Sequence, residues 1–208
     1  MTLMSKLIVA LLMLCAVQVQ AEVMAGRDYQ VMKPAQPTSS GSKVEVLEFF
    51  FYGCSHCFHL HGPLSGWEKA KPKDVDLQYV PVIFRDSWEP MARTFYALEA
   101  LGELGRLHND LFEAWNVFGT DLSDQEKIAA FVAKRGVDRA RFDAAYNSFT
   151  LAGKVARSNQ LVRSYGIRGT PTIAVDGKYI ITGLEPADTI RVLNEVIKIA
   201  RKERSKQR

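Results

Sequence analysis

Cysteine is scarce: the 208 residues hold three, Cys15, Cys54 and Cys57. That number excludes a small scaffold held together by several disulfides, and the chain is long enough to bury a core without such staples. Long apolar runs are missing too. The most continuous one, Leu7 to Val17, is about half the ~20 residues that cross a hydrocarbon core, which argues against a retained membrane anchor. Charge of one sign is not concentrated either. The formal net charge is +4, and the basic "ARKERSKQR" end reads as a solvated helix terminus. Aromatic and basic residues do not interleave as a base-stacking surface requires, so no nucleic-acid partner is expected. Nor does an internal repeat recur, and unequal helix spacings argue against a solenoid.

What is present begins with an address. Lys6, the apolar run and a Val19-Gln20-Ala21 ending fit an export signal over residues 1–21, cleaved after Ala21. Processing there removes Cys15 and leaves a single close pair, Cys54 and Cys57.

Local patterns predict the organisation of the remainder. "DYQVMK" at 28–33 reads as a short strand and "PAQPTSSGS" as a connector. "KVEVLEFFFY" is apolar on both faces, the mark of a strand inside a covered sheet. A helix is expected from about Cys57 to Lys69, kinked at Pro63, followed by a strand over "VDLQYVPVIF" at 75–84. Two strands joined through a helix imply a right-handed parallel unit.

From Ser87 to Tyr165 the period becomes helical. Stripes pass through Met91, Phe95 and Leu98, through Leu107, Leu111, Trp115 and Phe118, and through Phe142, Ala145 and Phe149. Ser123 to Glu126 reads as a capping box. "TIAVDGKYIITG" then predicts a hairpin about Asp176-Gly177, and Pro186 opens a last helix. The helical stretch therefore appears inserted between the halves of one small sheet domain.

The chemistry concentrates in "FFFYGCSHCFHLHGP". Placed where a strand hands over to a helix, Cys54 meets unpaired backbone N–H groups and the positive helix end, while Cys57 begins to turn inward. Both effects favour Cys54 as the thiolate, the form that attacks a disulfide. The helix end supplies roughly 0.3 to 2 kcal/mol, at most about 1.5 pKa units, so a larger depression needs direct hydrogen bonds and His56. An acidic attacking cysteine weakens its own disulfide and makes the pair oxidising.

Zinc is the chemical rival. Cys54, Cys57, His59 and His61 supply four ligands, but C-x2-C-x-H-x-H lacks the longer return of tetrahedral sites, and His59 and His61 point apart on a helix. A purely structural bridge is disfavoured because it closes a loop of only two intervening residues. His59, His61 and His108 are otherwise ordinary helix-surface or interface residues. Phe50 is expected in the core, and Phe58 is left between core and apolar rim.

"VEVLEFFFYGCSHCFHLHGPL" resembles the active-site segment of DsbA-like periplasmic thiol:disulfide oxidoreductases, and "YGIRGTPTIAVDGKY" resembles their later loop and hairpin. The resemblance implies an α/β thioredoxin-like fold, residues 22–86 and 166–208, with an all-helical domain inserted at 87–165. It makes Cys54 the nucleophile, Cys57 the buried resolving cysteine, and Ser55 and His56 the tuning dipeptide. Ser55 departs from the commoner proline, which restores a backbone N–H and leaves the strength of the oxidant open. Thr170-Pro171 matches the cis-proline position, where backbone groups at Thr170 are expected to pair with an extended substrate. Glu48 matches a buried acid that exchanges a proton near Cys57.

The function so implied is a monomeric periplasmic dithiol oxidase that introduces disulfides into reduced or unfolded exported polypeptides. It needs no metal or cofactor of its own and is reoxidised by a quinone-linked inner-membrane oxidase of the DsbB type. A disulfide isomerase or reductase and a thioredoxin-fold chaperone-like binding protein are the alternatives.

Overall fold

A computed structural model describes residues 22–206, so the export signal and Cys15 lie outside the described residues. Five strands form one sheet, β1 (Gln30–Val31), β2 (Val44–Phe50), β3 (Val75–Pro81), β4 (Thr172–Val175) and β5 (Tyr179–Thr182), in the order β1-β5-β4-β2-β3. The pairing of β2 with β3 is parallel and the others are antiparallel.

Strand β2 is buried along its whole length, as its two apolar faces require. Val44 and Val46 pack with Leu60 and Leu64 of α1 (Ser55–Ala70) and with Val192, Leu193, Val196 and Ile197 of α7 (Pro186–Lys206). Leu47 and Phe49 face the other way, against Val80, Tyr165 and Ile167. Each such side chain contributes about 1.5–3 kcal/mol by leaving water.

A 3-10 turn (Asp86–Trp88) follows β3. Helices α2 (Glu89–Leu101), α3 (Leu104–Asn116), α4 (Gln125–Ala133), α5 (Arg139–Tyr146) and α6 (Phe149–Ser164) then form a helical subdomain before β4. Its core includes Phe95, Leu98, Leu107, Leu111, Phe112 and Phe142, and takes in Phe50, Phe51 and Tyr52 from the end of β2. The cysteine turn thus sits where sheet and helices meet. The turn between β4 and β5 uses Asp176 at φ 55° and Gly177 at φ 69°, the left-handed pair that the Asp-Gly signal predicts.

Several local expectations are corrected. The strand near the N-terminus shrinks to two residues, and β3 ends at Pro81, leaving Phe84 partly exposed. Helix α1 begins at Ser55, two residues earlier than expected, and runs through Pro63 to Ala70. Proline there brings no N–H to the His59 carbonyl, a loss that falls on an exposed face of the helix. Asp124, not Ser123, caps α4, its carboxylate accepting from Lys127 N at 2.9 Å. Phe118 and Phe149 fall outside the apolar stripes, at 69% and 94% exposure. Phe118 lies beyond the end of α3, and Phe149 in the first turn after the Ser148 cap.

Candidate active site

Cys54 is the N-cap of α1, with extended backbone (φ −91°, ψ 115°), and its sulfur accepts from Cys57 N at 3.4 Å. This is the position where a helix leaves N–H groups unpaired, and here a sulfur occupies the place usually taken by a Ser or Asp oxygen. Both cysteines are free thiols. Cys54 is half-exposed and Cys57 is fully buried.

Thr170 approaches from the segment just before β4, the strand that neighbours β2. The Cys54 thiol donates to the Thr170 carbonyl at 3.4 Å, across 116 positions of sequence, and the Thr170-Pro171 peptide bond is cis. The antiparallel pairing of β4 with β2, Phe49 opposite Thr172, fixes this approach. Pro171 and Thr170 also line a groove of about 240 Å³ with His56, His59 and Leu184.

The two thiols are electrostatically unlike. Hydrogen bonding with the Cys57 side chain, then with the Thr170 side chain and the backbone N–H groups of Cys57 and His56, outweighs partial burial and brings the Cys54 thiol down to about 5. Burial pushes the Cys57 thiol up, and the neighbouring Cys54 sulfur and Glu48 push it further. At neutral pH, Cys54 is a thiolate and Cys57 a thiol, and the bond donated to the Thr170 carbonyl belongs to the protonated form of Cys54. The helix end alone accounts for less than half of such a depression.

Glu48 lies on β2 opposite Tyr79 and Ile173, 2% exposed, and its Oε1 has no hydrogen-bond partner among the described residues. Burial, with Glu68 and Cys54 adding negative charge nearby, brings its carboxyl up to about 8. It is therefore protonated at neutral pH, and its charged form would raise Cys57 further.

The tuning dipeptide behaves differently from expectation in one respect. Ser55 and His56 are the exposed first residues of α1, and the hydrogen bond from His56 to Cys54 comes from its backbone N–H. No bond from the His56 ring to the sulfur is present among the described residues. Nor do the four sulfur and imidazole groups converge, since no three His, Cys, Asp or Glu side chains among the described residues are placed to hold a metal ion.

Sequence reasoning missed what supports the turn. His108 and His61 are not surface residues. Both are buried, His108 shares a 2.6 Å hydrogen bond with Tyr52 Oη, and His61 stacks on Phe112. Burial lowers both imidazoles, that of His108 to about 3, so they are neutral structural groups. Asn116 donates to the Tyr52 carbonyl at 2.8 Å, and Gly53 is closed in by the Phe51 and Trp115 rings. Only the aromatic run before the cysteines hinted at this packing. Phe50 is fully buried, and Phe58 is partly buried against the helical core.

Comparison with known proteins places this geometry. The family model described as a DSBA-like thioredoxin domain matches residues 59–193. The chain is similar to the thiol:disulfide interchange protein DsbA of Burkholderia cepacia, 41% identical over 156 residues covering 74% of each. With that of Bordetella pertussis (strain Tohama I) it shares 34% identity over 185 residues, 87% of this chain and 88% of the relative. Its structure superposes on the crystal structure of Pseudomonas aeruginosa DsbA with a TM-score of 0.84 at 31% identity, covering 88% of this chain and 97% of that one. On the oxidoreductase DsbA from Xylella fastidiosa the TM-score is 0.82 at 32% identity, covering 86% and 98%. Two unequal thiols at the head of a helix, carried on this sheet and matched over this much sequence, have one reading: the chain belongs to the DsbA family of thiol:disulfide oxidoreductases and is a dithiol oxidase.

Proposed function

We propose that Cys54 is the sulfur exchanged with substrate and Cys57 the buried sulfur that leaves and returns. The single observation that carries this assignment is the placement of the two sulfurs, Cys54 half-exposed at the N-cap of α1 and accepting from Cys57 N, Cys57 fully buried, which displaces the two thiols in opposite directions. In the oxidised protein a substrate thiolate attacks Cys54 Sγ, forming a mixed disulfide and expelling Cys57 as a thiolate. Glu48, protonated and in the field of Cys57, supplies the proton that this poor anion takes up. A second substrate thiolate attacks the substrate sulfur of the mixed disulfide. The substrate leaves as a disulfide, two electrons remain on the Cys54-Cys57 dithiol, and Cys54 departs as a stabilised thiolate, which drives release.

Ser55 and His56 set the strength of this step, His56 through its backbone N–H at the sulfur. Thr170 and Pro171 hold the substrate: an extended polypeptide pairs with the Thr170 backbone beside Cys54. The partners are reduced or unfolded exported polypeptides, and the dithiol is reoxidised by a quinone-linked membrane oxidase of the DsbB type. The compartment is the periplasm, reached after removal of residues 1–21, and the protein acts as a monomer. Residues 22–86 and 166–208 carry the redox centre, and 87–165 cover one side of it. The chain's own step uses side chains alone.

The test is a pair of variants with a reduced dithiol peptide. With that peptide Cys54→Ser is expected to abolish oxidation, whereas Cys57→Ser, given the disulfide form of the peptide, is expected to accumulate a mixed disulfide through attack by its Cys54 thiolate, the other peptide sulfur leaving as a thiolate. Normal turnover in either would refute the assignment. Equilibration with glutathione buffers separates this reading from a reductase or isomerase, since an oxidant is reduced even in an oxidising mixture. Retention of a holding function in the double Cys→Ser variant, with dithiol oxidation absent from the native chain, would favour a chaperone-like protein.

A further inference from the structure

Away from the cysteines, strand β3 is an edge of the sheet, hydrogen-bonded among the described residues only to β2. Its alternation is fixed by two bonds at its ends: Val82 N donates to Phe50 O at 2.8 Å, and the Asp74 carbonyl accepts from Val44 N at 2.9 Å. Even-numbered residues therefore turn their N–H and C=O groups toward β2, and Leu77 and Tyr79 turn theirs outward. No backbone partner takes those groups among the described residues. An unpaired edge of this kind is a template for another strand.

The edge borders a half-open cleft. Leu77, Gln78, Tyr79 and Val80 form one wall of a cavity of about 990 Å³, whose other walls come from α1, α2, α3 and α6. Leu104 and Leu161 add partly exposed apolar surface to its lining, and Phe95 is buried behind it, edge-on to Tyr79. The charge at its rim is uneven. Lys154 is paired with Glu99 and Glu68 is held by Tyr79 Oη at 2.7 Å, whereas Lys69 and Arg157 have no ion-pair partner among the described residues. A four-residue segment in strand geometry spans about 13 Å, the length of the wall it would pair with.

We propose that this cleft is a second polypeptide-binding site, in which an extended segment of the unfolded substrate, with alternating apolar and acidic side chains, adds to the free edge of β3. The segment's backbone exchanges hydrogen bonds with Leu77 and Tyr79, its apolar side chains on one face meet the helical wall, and its carboxylates, all on the other face, meet Arg157 on the α6 side of the cleft. The inference rests on the reading that the substrates are unfolded polypeptides. It adds a hold on regions of the substrate that carry no cysteine, so a long client is retained while Cys54 samples its thiols.

The probe is a cysteine-free peptide of alternating valine and glutamate, with a valine-lysine peptide for comparison, added to the full chain. Hydrogen exchange read by NMR is expected to show protection of the Leu77 and Tyr79 amides by the acidic peptide only. Leu77→Pro deletes one outward N–H without touching the β2–β3 ladder, a place where an edge strand tolerates proline. It is expected to weaken binding about tenfold, the factor that one or two net hydrogen bonds bring. The reaction of Cys54 with glutathione should stay unchanged. Should Leu77→Pro fail to fold, Arg157→Glu serves instead and is expected to transfer preference to the lysine peptide. Binding that leaves both amides unprotected, absence of binding, or equal affinity in the folded variants would overturn the proposal. Loss of glutathione oxidation by the native chain would instead refute the redox assignment, because peptide binding is read without any thiol step.

Discussion

Replacing Glu48 by glutamine keeps the shape of a buried side chain and removes its ability to ionise. In the native chain burial brings this carboxyl from its ordinary 4.5 to about 8. Between those values the unfolded chain releases the proton and the folded chain keeps it, so stability falls as pH rises and levels off above pH 8. At about 1.4 kcal/mol for each pH unit, the full cost is ~5 kcal/mol at pH 9, and roughly 3 kcal/mol of it is present at pH 7. These are ceilings, because relaxation of the folded chain and entry of water reduce the cost of the buried charge. The Glu48→Gln variant escapes that loss. Urea unfolding of both proteins at pH 4, 7 and 9 measures the difference, in which every group unaffected by the substitution cancels. A constant offset from the amide is present at pH 4, and the variant should gain relative to the native chain at each step upward. The oxidised protein should show the gain ending at a lower pH, since the Cys54 charge that helps raise Glu48 is gone. A difference that is flat in pH, or a variant that loses ground by pH 9, would refute the assignment of Glu48 as a buried neutral acid.

Three further outcomes are expected. Alkylation of the reduced protein by iodoacetamide should titrate with a midpoint near 5 and modify Cys54 alone, whereas a midpoint near 9 would show that the hydrogen bonds to its sulfur do not act. The reduced form should melt a few degrees above the oxidised one at pH 7. Its advantage should vanish as pH falls through 5, the value at which the folded thiol takes up its proton, and an oxidised form more stable at pH 7 would indicate a reducing poise. Gly53→Ala places a methyl 2.5 Å from Phe51 Cε1 and 2.8 Å from Trp115 Cε2. Overpacking of this kind costs about 1–3 kcal/mol, and calorimetry showing no loss would mean that the rings yield freely.

Signals that are local in sequence were legible. The two apolar faces of residues 44–50, the Asp176-Gly177 turn and Pro186 at a helix start each state their geometry within a few residues, and each is found as read. The inequality of Cys54 and Cys57 was readable because a strand-to-helix junction presents N–H groups to the first cysteine only. What lay beyond reading was set by distant partners. Thr170 beside Cys54 came from resemblance alone, since nothing in residues 50–60 points across 116 positions. His108 on a helix looks the same whether it faces water or Tyr52, and the sheet-to-helix packing that buries it is not written in its neighbours. Phe149 satisfied a helical period yet stands in water, because the first turn of α6 has no element above it. Ser123 and Asp124 both carry capping chemistry, and only the backbone decides between them.

The contact between Cys54 and Thr170 closes a circuit that passes through every helix of the subdomain, because those helices lie between the two residues in the chain. Closing so long a loop comes late in folding, after the local helices have formed. The backbone N–H groups of α1 are available as soon as that helix forms, but the Thr170 bonds to the sulfur exist only once β4 has docked on β2. A chain cut short before β4 would keep the helix-end N–H groups at Cys54 and lose the Thr170 contact, so its Cys54 thiol is expected to titrate above 5, nearer the ordinary value.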